Sequence, residues 1–193
     1  MIKIGILGDI GSGKSYVAQS FGYPVFNADR EVAKLYQQDK NIFNQLKRKL
    51  PKYIHSFPIE KKEISKAILS NKNNLNKIVK IVHTEIRKKL NNFLNKNKNK
   101  KIVILDIPLL LENKINRKED ILVYVQSKKY NILKNLKKRK NFNQKLLKKF
   151  KSIQIPISYK KKKSHFIVKN DFTKRSVNDG IKDILKKLNK WRK

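Results

Sequence analysis

Cysteine is absent from the 193 residues, so the chain can build neither a disulfide framework nor a thiolate metal site. Long hydrophobic runs are absent too. No stretch reaches the roughly 18 uncharged apolar residues that a membrane span requires. The amino-terminal "MIKIGILGDIG" runs from its apolar residues straight into glycines, unlike a secretory signal peptide. These features predict a cytoplasmic chain that makes no use of a membrane. Acidic residues are scarce: 14 Asp and Glu stand against 49 Lys and Arg, a formal charge of +35.

That excess has two readings. One is a surface for polyanions, nucleic acid first among them. The other is compositional drift, since lysine far outweighs arginine while Asn and Ile are also abundant. Lysine is scattered over nearly every polar face instead of clustering on one, which favours drift. Non-specific attraction to anions at low salt follows either way.

The length suits one domain with a sizeable core. Five short apolar runs read as strands: Ile2 to Leu7, "YPVFNAD", Lys101 to Pro108, Asp120 to Val125, and His165 to Val168. Helical patterns lie between them. Leu75, Ile78, Val79, Val82, Ile86, Leu90 and Phe93 form one stripe, and Val177, Ile181, Ile184, Leu185, Leu188 and Trp191 form another. Ser176 and Asp179 read as a capping box opening the second stripe, which Gly180 weakens slightly. Alternating strands and helices predict a parallel sheet covered on both faces. The stretch from about residue 40 to 97 is too long for a simple crossover and reads as an inserted helical unit. "KKRKNFNQKLLKKF" reads as a basic helical segment able to cover a site.

Chemistry enters at "GILGDIGSGKSYVAQSF". Gly8, Gly13, Lys14 and Ser15 fit G-x-x-x-x-G-K-[ST], with Gly11 as an extra glycine. Glycines let the backbone wrap a phosphate with its N–H groups pointing inward, and the following helix adds its positive end. Lys14 then reaches the β- and γ-phosphates, and the Ser15 hydroxyl suits Mg²⁺. A strand precedes the loop, and Val17, Ala18 and Phe21 give the next segment an apolar helical face. Asp29, in "VFNADREVA", follows the second strand, where the carboxyl ends of parallel strands line a ligand crevice. It can take a proton from an attacking hydroxyl or help orient Mg²⁺; the alternative is a cap for a helix beginning at Arg30.

Several ordered blocks then resemble the dephospho-coenzyme A kinase family across nearly the whole chain. They are "GDIGSGKS", "NAD" with Asp29, "IVHTEIRKKL" around His83, "VILDIPLLLEN", "LKKRK" around Arg139, and "IQIPISYKKKKSHFIVKND" with Gln154 and Pro156. The glycine loop is widespread, whereas "DIPLLLEN" and the Q-x-P block are specific.

The resemblance implies an α/β P-loop NTPase fold of three layers. Its five-stranded parallel sheet would span residues 1–39, 98–135 and 161–193, with a helical acceptor-binding insertion over about 40–97 and a helical lid over about 136–160. It implies transfer of the ATP γ-phosphoryl group to the ribose 3′-hydroxyl of dephospho-coenzyme A, the last step of coenzyme A synthesis. Asp29 falls on the family's general base. Gly11, Ser12, Gly13, Lys14, Ser15 and Tyr16 fall on the ATP site, and Arg139 on a lid arginine suited to phosphates. Ser15 of the loop is an expected Mg²⁺ residue, and Asp106, at the end of the third strand, can orient Mg²⁺ through water or cap the loop that follows. Pro108, Leu109, Leu110 and Leu111 would form an apolar wall for the acceptor; Glu112 is either a substrate contact or an exposed surface glutamate, and His83 either a substrate contact or a structural histidine. Asn170 and Asp171 follow the last strand, where the family approaches adenine. Expected partners are ATP and dephospho-coenzyme A, no specific nucleic acid, and a monomer or weak homo-oligomer.

This chain departs from the family pattern at Asn27 (often an acid), Thr84 (usually proline), Tyr16 (usually threonine), Asn135 and Lys140 in the lid, and Ser164–His165 (usually Ala-Asp). The rival readings are another nucleoside or nucleotide kinase and a nucleic-acid-binding ATPase.

Overall fold

The structure is a computed structural model and describes residues 1–139 and 142–190. It divides into two compact units. The first comprises Met1–Asn27, Asn97–Phe142 and Gln154–Lys193; the second comprises Ala28–Lys96 and Asn143–Ile153.

The first unit is built on five parallel strands: β1 (Ile2–Gly8), β2 (Val25–Asn27), β3 (Ile102–Asp106), β4 (Ile121–Gln126) and β5 (Phe166–Lys169). Their order is β2-β3-β1-β4-β5. All five predicted runs are strands, within one or two residues at most ends. Side chains alternate between sheet faces. Ile4 and Ile6 of β1, Ile102 and Ile104 of β3, Val123 and Val125 of β4, and Val168 of β5 point to one face. There they pack against Val17, Ala18 and Phe21 from the α1 region (α1, Lys14–Ser20) and against Val177, Ile181, Ile184 and Leu188 of α9 (Lys174–Lys190). Gly180 has a packing role in α9: a Cβ there would sit 3.3 Å from a Val168 methyl, so its absence lets the helix lie close on β5. On the opposite face, a Cβ at Gly5 would meet Leu110 at 2.4 Å, and α8 (Ile157–Lys163) packs on β1 and β4. The first unit thus has the three layers expected. Trp191 and Lys140 lie outside the described residues.

The second unit is helical. It contains α2 (Ala28–Gln38), α3 (Lys40–Lys49), α4 (Lys61–Ser70), the 25-residue α5 (Lys72–Lys96) and α7 (Gln144–Ser152). The apolar stripe lies along α5, with Leu75, Ile78, Val82, Ile86 and Leu90 buried, and the helix packs on α2, α3 and α4.

Two local expectations are corrected. The basic segment is not one helix: α6 (Lys129–Lys137) ends at its first residue, and α7 starts afresh with the Asn143 side chain accepting from the Leu146 N–H at 3.0 Å. Nor do Ser176 and Asp179 form a capping box. The helix begins at Lys174, the Thr173 hydroxyl accepts from the Ser176 N–H at 3.3 Å, and Asp179 faces Arg175. With hydroxyls at both 173 and 176, the one that precedes the first helical turn makes the cap.

Candidate active site

The phosphate loop joins β1 to α1 at the carboxyl edge of the sheet. Gly11 and Gly13 adopt φ of +85° and +87°, conformations that side-chain-bearing residues rarely take. Close approach also demands glycine here. A Cβ at Gly13 would lie 2.3 Å from the Asn170 Nδ2, and one at Gly11 would lie 2.7 Å from the Leu136 Cγ. Lys14 is held over the loop, donating from Nζ to the Asp9 carbonyl at 2.8 Å and the Gly8 carbonyl at 3.3 Å. Its ammonium is therefore positioned before any phosphate arrives. Ser15 and Tyr16 are exposed in the first turn of α1. Ser12 faces inward at 1% exposure, and its hydroxyl is buried without a protein partner.

Two distant side chains grip this loop from behind. The Ser127 hydroxyl and the Asn170 Nδ2 both donate to the Ser12 carbonyl, at 3.0 and 2.9 Å. Neither grip was read from the sequence, where Asn170 was expected beside adenine.

Asp106 ends β3, 3% exposed, directly across from Asn27 at the end of β2. The Asn27 amide donates to its carboxylate. The residue that departs from the family pattern at position 27 thus orients the Asp106 carboxylate through a neutral donor. Asp29 lies exposed in the first turn of α2. The helix starts at Ala28, so Asp29 is inside it and is not the cap of a helix beginning at Arg30.

Arg139 is exposed in the turn after α6, its N–H bonded to the Leu136 carbonyl at 3.1 Å. Leu136 is the residue that covers Gly11, so this turn begins beside the phosphate loop.

The segment after β3 divides its expected duties. Pro108, Leu109 and Leu111 are partly exposed, but Leu110 is fully buried against Gly5 and belongs to the core. Glu112 is neither surface nor open: its Oε1 accepts from the Lys160 Nζ at 2.7 Å and from the Ile155 N–H at 3.1 Å. Lys160 also donates to the Gln154 Oε1 at 3.2 Å, and the two charged side chains are 2% and 8% exposed. The Q-x-P block is thus the partner of "DIPLLLEN". Lys160 was missed because it sits in a run of four lysines, of which only its own side chain turns inward. His83 lies in α5 with its Nε2 buried and without a hydrogen bond; burial, then the Arg87 charge, push its pKa below the ordinary value.

The donor set can be tested against a divalent cation. Among the described residues no group of three or more His, Cys, Asp or Glu could hold a metal. A hydroxyl at Ser15 and a carboxylate at Asp106 are hard oxygen donors, fitting an ion whose remaining ligands come with a triphosphate. Among the described residues, no helix is long and apolar enough to cross a membrane.

A family model for dephospho-CoA kinase matches residues 2–175, which takes in every block from the phosphate loop to the end of the Q-x-P segment. The chain belongs to the dephospho-CoA kinase family. The dephospho-CoA kinase of Wolbachia pipientis wMel is 34% identical over 191 residues, covering 96% of this chain and 97% of that one. That of the Wolbachia of Brugia malayi is 32% identical over 190 residues, with 96% and 97% covered. The crystal structure of TT1252 from Thermus thermophilus superposes with a TM-score of 0.76 at 25% identity, over 97% of each chain. Membership in this kinase family makes ATP a substrate. The match spans the phosphate loop and all five strands of the parallel sheet that carries it.

Proposed function

We propose that this chain phosphorylates the ribose 3′-hydroxyl of dephospho-coenzyme A from ATP, giving coenzyme A and ADP. The reading is carried by the phosphate loop with Lys14 already positioned on it, in a chain whose family match runs from residue 2 to 175. In the transfer, the 3′-oxygen forms a bond to the γ-phosphorus as the bond from that phosphorus to the β-bridging oxygen breaks. The hydroxyl proton passes to the Asp29 carboxylate. Support for Asp29 in this role is its exposed carboxylate directly after β2.

Lys14 and the loop N–H groups from Gly11 to Tyr16 hold the phosphates, and Arg139 adds a guanidinium where charge builds up. Ser15 and Asp106 would hold Mg²⁺, which when bound neutralises phosphate charge. His83, Pro108 and Leu109 contact the acceptor, while Leu110 and Glu112 act from behind, through packing and the Lys160 pair. Of the expected lid over about residues 136–160, the part before Gln154 covers the site and keeps water from the γ-phosphorus, while Gln154 and Lys160 anchor its end to Glu112. The enzyme works in the cytoplasm as a monomer or weak homo-oligomer, and the lysine excess steers polyphosphate substrates without a specific nucleic-acid partner.

The test is an ADP-release assay with ATP and Mg²⁺, comparing dephospho-coenzyme A with AMP, adenosine and single-stranded DNA. Turnover with dephospho-coenzyme A alone is expected. Asp29→Asn should lower it by about 10² to 10⁴, the usual range for a general base. ADP release stimulated by DNA but not by dephospho-coenzyme A would overturn the proposal.

A further inference from the structure

The nucleotide loop touches two residues that its own motif does not contain, and both act on one atom. The carbonyl oxygen of Ser12 receives the Asn170 Nδ2 at 2.9 Å and the Ser127 Oγ at 3.0 Å. Asn170 is 2% exposed and comes from just beyond β5; Ser127 comes from just beyond β4. The other end of the Asn170 side chain is occupied as well, since its Oδ1 accepts from the Phe172 N–H at 2.8 Å. The amide is thereby fixed in orientation, with its N–H₂ group turned to the loop.

The geometry of a peptide gives this grip its consequence. The Ser12 carbonyl and the Gly13 N–H share one planar trans unit and point in opposite directions. Two donors holding the carbonyl on the outside of the loop therefore aim the Gly13 N–H inward. Gly13 itself has no room to respond by tilting: its α-carbon lies so close to Asn170 that a Cβ would stand 2.3 Å from the Nδ2. Gly13 is also the residue before Lys14 and α1, so its peptide plane sets the start of the helix.

We propose that Asn170 and Ser127 are positioning residues for nucleotide binding, which clamp the Ser12–Gly13 peptide so that its N–H is presented to a phosphate before the nucleotide arrives. The inference rests on the kinase reading of the loop and adds to it a preorganising pair from the ends of β4 and β5. A donor held in place costs no reorganisation when phosphate binds, which is the source of its strength. Without the clamp, the peptide can rotate and the N–H competes with water.

Each discriminating variant removes one donor, and the thermal melt checks that the fold is kept. Asn170→Asp keeps the Oδ1 that Phe172 needs but loses the N–H₂ group. Ser127→Ala removes the second donor, and Ser127→Thr restores a hydroxyl. Calorimetric titration of the full chain with ADP and, separately, with dephospho-coenzyme A reads the two sites independently, beside a thermal melt.

Expected are a tenfold or greater weakening of ADP binding in Asn170→Asp, a smaller weakening in Ser127→Ala, and near-wild-type ADP binding in Ser127→Thr. Affinity for dephospho-coenzyme A should stay within twofold throughout. ADP affinity unchanged in both Asn170→Asp and Ser127→Ala overturns the proposal. So does a parallel loss of both ligands and of melting temperature, which would make the pair a staple of the fold. If the wild-type chain itself fails to bind ADP, the kinase reading falls first, and the inference with it.

Discussion

Replacing Lys160 by methionine keeps most of the buried stem and deletes only the ammonium, so it isolates the charge in the pair with Glu112. The two groups are 2.7 Å apart, with side chains 2% and 8% exposed, so neither can turn to bulk water when the other is lost. Glu112 would retain the Ile155 N–H on Oε1, while its Oε2, already without a partner, would gain nothing. Removing one member of such a pair typically costs about 3–5 kcal/mol. At roughly 2–4 °C per kcal/mol for a chain of this size, the melting temperature should fall by about 6–20 °C. Circular dichroism during a thermal ramp measures this directly.

The companion variant separates charge from packing. Adding Glu112→Gln to Lys160→Met removes the stranded carboxylate yet keeps an acceptor for Ile155, and it should recover at least half of the loss. A drop below about 2 °C in the single variant would refute the buried-pair reasoning, because it sits far under the range expected for an uncompensated buried charge. A double variant as unstable as the single one would show that the lysine matters through its packing.

Gly13→Ala should abolish measurable ADP binding, since its Cβ meets Asn170 at 2.3 Å on a backbone at φ +87°; Gly22→Ala, at φ +73° with nothing within 4 Å, should cost only about 1–2 kcal/mol of stability and leave ADP affinity intact by calorimetry. His83 has a depressed pKa, so the unfolded chain takes up its proton first as pH falls below 6.5; stability should decline from there downward, and His83→Gln should flatten melting temperature against pH over that window. Asp171 is held down to about 2 by hydrogen bonds from the Ser176 hydroxyl and from the Thr173 hydroxyl and N–H. Its contribution is complete above 3.8 and is lost as pH falls toward 2, so Asp171→Asn should make acid unfolding shallower in that range.

What the sequence disclosed follows from which signals are local. β1, β3 and β4 are near-continuous apolar runs because both faces of the sheet are covered, and such runs are visible without knowing any partner. The phosphate loop is equally local: its glycines, lysine and serine lie within eight residues, and their spacing is itself the mechanism. The clamp on Ser12 was illegible because Asn170 acts across 158 residues and Ser127 across 115. Lys160 was hidden for another reason. Four adjacent lysines on a seven-residue helix carry no periodicity that marks which one turns inward. Leu110 and Leu109 look alike in "PLLLEN", and only the turn after β3 sends Leu110 under Gly5. The start of α2 at Ala28 was missed by two residues, enough to change Asp29 from a cap to a member of the first turn.

The strand order β2-β3-β1-β4-β5 also constrains the chain as it leaves the ribosome. β1 is made before the other four strands, yet its two neighbours begin at residues 102 and 121, so the emerging strand has neither neighbour to join for about a hundred residues. The loop that follows it waits longer still, because the Asn170 contact to Ser12 spans 158 positions. At roughly 5–20 residues per second, that delay is about 8–30 s. Through that interval the apolar run "IKIGIL" is exposed without its neighbours, and an arrested nascent chain stopped short of β5 should release no nucleotide-protected fragment on limited proteolysis. The Asn170 contact to the loop therefore forms late in synthesis, 158 positions after the Ser12 it holds.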